Sequence, residues 1–283
     1  MKIIFDCDNT FGVSGCDIDD GLALLYLLGK NAEILGITST YGNSDIDTVY
    51  DNTKIMLKEL DRNIPLFKGC EKAGIYDSEA VDFLVEKAIE FKGELVILAT
   101  GSLTNIYGAY LKDNDFFQNI KEICLMGGIT EDLVINGKIM KELNFSCDPE
   151  ASYFVLKNAK NISIATGNNC LKAFFSHDGH ENRLKNSDLK IAEYIYKKTN
   201  YWYEYMKRYD VKGFYNWDVV SAAYILDKSL FIDDYVDINQ DIESLSEGRL
   251  FGNGNNIKIN LPKIKDNEIF EDSTYQTYFN INL

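Results

Sequence analysis

The chain has little proline, little histidine and too few basic residues to balance its acidic ones. Among 283 residues there are only three prolines, Pro65, Pro149 and Pro262, and two histidines, His177 and His180. No stretch reads as a Pro- or Ser-rich linker, and no internal repeat is visible, so one domain over residues 1–283 is expected. Lys and Arg number 29 against 44 Asp and Glu, a net charge of −15. Nucleic-acid and anionic-membrane partners need clustered cations, so the balance argues against both. The longest unbroken apolar run, Leu22 to Leu28, is too short to span a bilayer. Asp6 and Asp8 interrupt the N-terminal apolar run as a signal peptide would not. The six cysteines show no CxxC spacing. They read as reduced, mostly buried thiols of a cytoplasmic protein. With two histidines and no cysteine pair, zinc is a poor candidate.

Short apolar runs alternate with longer amphipathic segments. Strands are expected at Lys2–Phe5, Ile34–Ser39, Leu95–Ala99, Ile123–Met126 and Ile162–Ala165. Helices are expected at Asp20–Leu28, Asp47–Leu60, Ser78–Phe91, Leu103–Lys112, Pro149–Asn158 and Leu189–Lys207. This alternation predicts an α/β fold, a mostly parallel central sheet with helices on both faces. A hairpin is expected around Gly137, strands beyond Asp233, and either a helix or a strand at Glu268–Phe279. Ligands of such sheets bind at the carboxyl ends of the strands. There the sequence places Asp6, Asp8, Asp17, Asp19 and Asp20, then Tyr41-Gly42-Asn43, Thr100-Gly101-Ser102 and Gly127-Gly128. Helix capping explains one or two of five crowded aspartates. A hard divalent cation explains them together.

Two families share the first strand. Phe5-Asp6-Cys7-Asp8 resembles the first motif of haloacid-dehalogenase-type phosphatases, in which Asp6 would be the nucleophile. The Gly-Asp motif that this family needs later in the chain is missing. A second resemblance covers residues 2 to about 230. Asp6-Cys7-Asp8 with Asp19-Asp20-Gly21-Leu22-Ala23, Thr38-Ser39-Thr40-Tyr41-Gly42-Asn43, Ala99-Thr100-Gly101-Ser102, Met126-Gly127-Gly128, Glu142-Leu143-Asn144-Phe145 and Asn216-Trp217-Asp218 arrive in the order of the inosine–uridine-preferring nucleoside hydrolases.

That resemblance implies a Rossmann-like nucleoside hydrolase fold and Ca²⁺-dependent hydrolysis of ribonucleosides to ribose and free base, as in nucleoside salvage. It implies Ca²⁺ held by Asp8, Asp20, the Thr100 carbonyl and Asp218, with Asp8 as general base. It implies ribose contacts from Asp19, Asn43, Asn144 and Asp218, 5′-hydroxyl contacts from Asn136 and Glu142, and Met126 packed against the sugar. Homo-oligomers, dimers or tetramers, are usual in the family.

Two departures stand out. Ten residues separate Asp8 from Asp19, where the family usually has about three, which leaves Asp17 a rival to Asp8. Trp217 stands where many members carry a histidine. This resembles the purine-specific branch, in which stacking replaces a side-chain acid, so purines are slightly favoured. Tyr76 is a candidate for the opposite face of the base. His177 and His180 read as solvated loop residues, and the aromatic run Asn200–Tyr209 as core or a subunit contact rather than a base-binding wall. A ribose- or nucleoside-binding protein with little turnover is the alternative from a different class.

Overall fold

The computed structural model describes residues 1–283. One eight-stranded sheet runs through it, built from β1 (Lys2–Cys7), β2 (Glu33–Ser39), β3 (Leu66–Phe67), β4 (Leu95–Ala99), β5 (Glu122–Met126), β6 (Ile162–Ala165), β7 (Tyr235–Gln240) and β8 (Asn255–Asn260). Their spatial order is β7-β8-β6-β5-β4-β1-β2-β3. All neighbours pair in parallel except β7 with β8, which form an antiparallel edge. The chain winds outward from β1 through β2 to β3, then crosses back and winds the other way from β4. The switch point therefore lies between β1 and β4, where an open α/β sheet leaves a crevice at its carboxyl edge.

The side-chain alternation of β1 sorts the molecule into two layers. Ile3, Phe5 and Cys7 enter a core of 47 buried residues, and Ile4 enters a second core of 27 on the opposite face. The larger core packs helices α1 (Asp19–Gly29), α9 (Trp217–Leu226) and α10 (Asn267–Phe279). Helices α2 (Ile46–Glu59), α3 (Glu79–Glu90), α4 (Thr104–Lys112) and α5 (Pro149–Asn158) follow in chain order. Of these, α3, α4 and α5 cover the smaller core. Side chains fix several starts: Asp45 accepts from Thr48 at α2, Ser78 from Val81 at α3, and Asp148 from Ala151 at α5, followed by a first-turn proline.

Two expectations are revised, and one left open between helix and strand is decided. The segment 189–207 is broken: α7 (Lys190–Thr199) ends at a turn, and α8 (Trp202–Met206) follows, running into one 3₁₀ turn at Lys207–Tyr209. The stretch around His177 and His180 is helix α6 (His177–Lys185), started by the Ser176 side chain accepting from the Gly179 amide. His180 is buried, not solvated, held between Tyr275 Oη at 2.5 Å and Thr199 Oγ1 at 2.9 Å. The ambiguous C-terminal segment is helical, capped by Asp266.

Candidate active site

The carboxyl edge of β1 delivers Asp6 and Asp8, and the two differ in role. Asp6 faces the smaller core, where Thr38 and Asn105 donate to its Oδ2 at 2.6 and 2.8 Å. Burial pushes its carboxyl up to about 7. It is sealed under the sheet and does not line the cavity described below, so it cannot serve as a phosphatase nucleophile. Asp8 follows the strand and tucks beneath Gly42. A Cβ at Gly42 would lie 2.1 Å from Asp8 Oδ2. The Asn43 backbone amide donates to that oxygen at 2.5 Å, and the Asn43 side-chain amide reaches Asp8 Oδ1 at 3.3 Å and Asp20 Oδ2 at 3.4 Å.

The ten residues between Asp8 and Asp19 form an anchored loop. Gly12 and Gly15 take positive φ of 88° and 86°, which glycine adopts without strain. Asn52 of α2 donates to the carbonyls of Asn9 and Phe11, and Asn9 reaches Thr53. Phe11 is buried against Gly21, where a Cβ would be 2.3 Å from its side chain. The loop thus returns Asp19 and Asp20 to the first turn of α1, with Asp17 just before it.

The opposite helix start supplies the next carboxylate, Asp218 in the first turn of α9. Oxygens of Asp19, Asp20 and Asp218 lie within 4.8 Å of one another, and all three residues are buried. Among the neighbouring charges, Asp8 bears most on Asp20 and Asp17 most on Asp19. Thr100 Oγ1 donates to Asp20 at 2.6 Å. None of these carboxylates pairs with a Lys or Arg. Burial first, then mutual repulsion, raises Asp19, Asp20 and Asp218 well above the usual carboxylate range. Burial alone leads at Asp8 and Asp17, each near 6. The positive ends of α1 and α9 ease part of the repulsion. An all-oxygen, uncompensated, buried donor set fits a hard divalent cation. The compact triad contains Asp19, which the resemblance gave to ribose, and does not include Asp8.

Above this floor is a cavity of about 490 Å³. Asp17, Asp19, Asn43, Thr100, Met126, Glu142, Asn144, Trp217 and Asp218 line it. Asn144 donates to the carbonyls of Thr100 and Met126, both at 2.9 Å, which leaves its own oxygen as acceptor. Glu142 accepts from the amides of Gly128, Phe145 and Ser146 at 3.0, 2.8 and 2.9 Å. A carboxylate has about four lone-pair sites, so one stays free for a hydroxyl. Asn136 lies apart. It is exposed in the hairpin turn and donates to the carbonyls of Tyr209 and Asp210. Tyr76 packs on Tyr107 away from the cavity, and neither histidine lines it.

The aromatic run, read as packing, supplies a wall. Trp202, Tyr205, Met206 and Tyr209 all line the cavity, with Trp202 and Tyr205 stacked at 4.3 Å and 6°. Its helical spacing was visible in the sequence, but the cavity it faces was not. Cys16 of the inserted loop also reaches the lining.

A carboxylate floor at the switch point of a Rossmann-ordered sheet, under an aromatic wall, makes an α/β site suited to a polar ligand with an apolar, flat part. Residues 3–271 match the inosine-uridine preferring nucleoside hydrolase family, and the chain belongs to it. It is therefore an enzyme, a glycosidase acting on N-glycosyl bonds. It is 27% identical over 264 residues to a probable uridine nucleosidase 2 of Arabidopsis thaliana, covering 81% of this chain and 79% of the relative. It is 24% identical over 270 residues to an inosine-uridine preferring nucleoside hydrolase of Leishmania major, covering 84% and 82%. Among solved structures it resembles a plant nucleoside hydrolase, with TM-score 0.84 and 22% identity over 98% of both chains. It also resembles a purine-preferring ribonucleoside hydrolase from Gardnerella vaginalis, with TM-score 0.83 and 21% identity over 99% of this chain and 98% of that one. At these identities the structural likeness speaks to fold. No helix is long and apolar enough to cross a membrane.

Proposed function

We propose that this protein hydrolyses ribonucleosides to ribose and free base, with Ca²⁺ at the carboxylate floor and a slight preference for purines. The observation that carries this reading is the set of uncompensated buried carboxylates beneath a cavity with an aromatic wall. Asp8, Asp20, Asp218 and the Thr100 carbonyl would hold the cation, with Asp19 beside them. When bound, the ion supplies positive charge that makes a nearby water easier to deprotonate and steadies ribose hydroxyls.

In the reaction, water attacks the anomeric carbon of an oxocarbenium-like ribose while the bond to the base nitrogen breaks. Asp8 takes the water's proton, and the bonding pair leaves with the base, which is protonated in turn. Asp19 and Asn43 would bind the 2′ side, the free Asn144 oxygen and Asp218 the 3′-hydroxyl, and the free Glu142 lone pair the 5′-hydroxyl. Met126 would pack against the ring. No imidazole faces the cavity to protonate the leaving base. His180, depressed by burial to about 3, is not among the residues that line the cavity. Stacking on Trp217 is the remaining aid, and it suits the larger purine.

Asp17 is the rival base because it lines the cavity and Asp8 does not. Reducing-sugar assays with inosine, adenosine, uridine and cytidine test the function. Comparing Asp8→Ala with Asp17→Ala assigns the base: loss of about 10²-fold or more is expected at Asp8. Nucleoside binding with no sugar release from any substrate would instead favour the binding protein.

A further inference from the structure

The aromatic wall is tied down at both ends by residues from other segments of the chain. At its N-terminal end, Tyr201 Oη donates to the Cys16 carbonyl of the inserted loop at 3.1 Å. At its C-terminal end the 3₁₀ turn stops at Asp210, with φ 56°. The last carbonyls of a helix lack onward donors. Here the hairpin provides them: Asn136 Nδ2 donates to Tyr209 O at 3.2 Å and Asp210 O at 2.9 Å, and Lys138 Nζ to Arg208 O. A cation at a helix carboxyl end is also favoured by its dipole.

The hairpin is shaped for this task. Asn136 and Gly137 sit at φ 47° and 76°, the Asn-Gly turn that a two-residue hairpin favours. The turn aims the Asn136 amide across 73 residues of sequence at the end of the wall. Ile139 of the hairpin and its flanking residues Leu133 and Met140 line the cavity themselves. We propose that Asn136 and Lys138 are positioning residues: they latch the Trp202–Tyr209 wall closed over the nucleobase, and Asn136 acts through that wall rather than by touching the sugar. This rests on the nucleoside-hydrolase reading above.

The chain offers a built-in reporter. Its only two tryptophans, Trp202 and Trp217, both line the cavity. The test uses Asn136→Gly, which suits the left-handed turn, alone and with Lys138→Met. Acrylamide, a neutral quencher unaffected by the chain's negative charge, should quench tryptophan fluorescence more strongly in the variants than in the parent. KM for a turned-over nucleoside should rise about 2- to 10-fold with kcat within about twofold. The same factor should appear with the matching 5′-deoxynucleoside. Unchanged quenching would overturn the proposal. So would a KM defect that disappears with the 5′-deoxynucleoside, because Asn136 would then contact the hydroxyl directly. If the parent protein turned over no nucleoside, the functional reading would fail, while the quenching would still decide whether the latch exists.

Discussion

The backbone amide of Asn43 donates to Asp8 Oδ2 at 2.5 Å, across the gap between the ends of β2 and β1. One peptide group thereby fixes the carboxylate assigned as general base, and the side chain of the same residue touches Asp20. The approach is possible because residue 42 is glycine.

Gly42→Ala should therefore act on the site and spare the fold. Its Cβ would collide with Asp8 Oδ2. Displacing a reacting group by about 1 Å can lower turnover on the order of 10²-fold. Steady-state kinetics beside a melting curve check this: kcat should fall with little change in Tm. Parent-like kcat would place the reacting carboxylate elsewhere.

The raised carboxylates should give the proposed cation binding a defined pH dependence. Asp8, Asp17, Asp19, Asp20 and Asp218 hold protons at a pH where the unfolded chain has released them. Without metal, their contribution to stability is present below the ordinary carboxylate pKa. It is lost as pH rises through their raised values, which begin near 6 for Asp8 and Asp17. A cation competes with those protons and reverses the loss. The increase in Tm on adding Ca²⁺ to stripped protein should be small near pH 5 and grow toward pH 8. A Tm increase that is flat with pH would dissociate the cluster from the ion.

Trp217→Ala should discriminate between bases. Stacking contributes about 1–3 kcal/mol per base. Loss of kcat/KM should be several-fold greater for inosine than for uridine, measured in parallel assays. Equal losses would remove stacking as the basis of a purine preference.

His180 should matter to stability and not to chemistry. Removing it leaves the Tyr275 and Thr199 hydroxyls without its ring nitrogens inside an aromatic cluster. His180→Ala should lower stability by about 2–4 kcal/mol, with KM and kcat kept in the folded fraction. Because burial holds the ring neutral, its contribution is present above its ordinary pKa and lost as pH falls toward its depressed value. A kinetic defect without a loss in Tm would contradict this.

Much of the fold was legible because fully buried strands leave continuous apolar runs. Leu95–Ala99 and Ile162–Ala165 stand in the structure as the sequence reading places them. β3 escaped notice because two residues, Leu66 and Phe67, make no period. The break at Asn200–Tyr201 was hidden because Ile195, Thr199, Trp202 and Met206 keep helical spacing across it. His180 was misread because polar neighbours disguise a helix whose buried face is formed by distant aromatics. The placement of Asp8 and Thr100 at the carboxyl edge was legible because each follows its strand directly. The wall of Trp202, Tyr205 and Tyr209 depends on tertiary packing, which local pattern does not contain.

Under the proposed function, a cation on this carboxylate floor enables ribonucleoside hydrolysis. The most direct measurement is reducing-sugar release from inosine and uridine by protein stripped with a chelator, then reloaded with Ca²⁺, beside Asp218→Ala treated in the same way. Cation dependence at this floor gives no release after stripping, recovery on adding Ca²⁺ to the parent, and no recovery in Asp218→Ala. Full turnover by the stripped protein, or by Asp218→Ala, would contradict it.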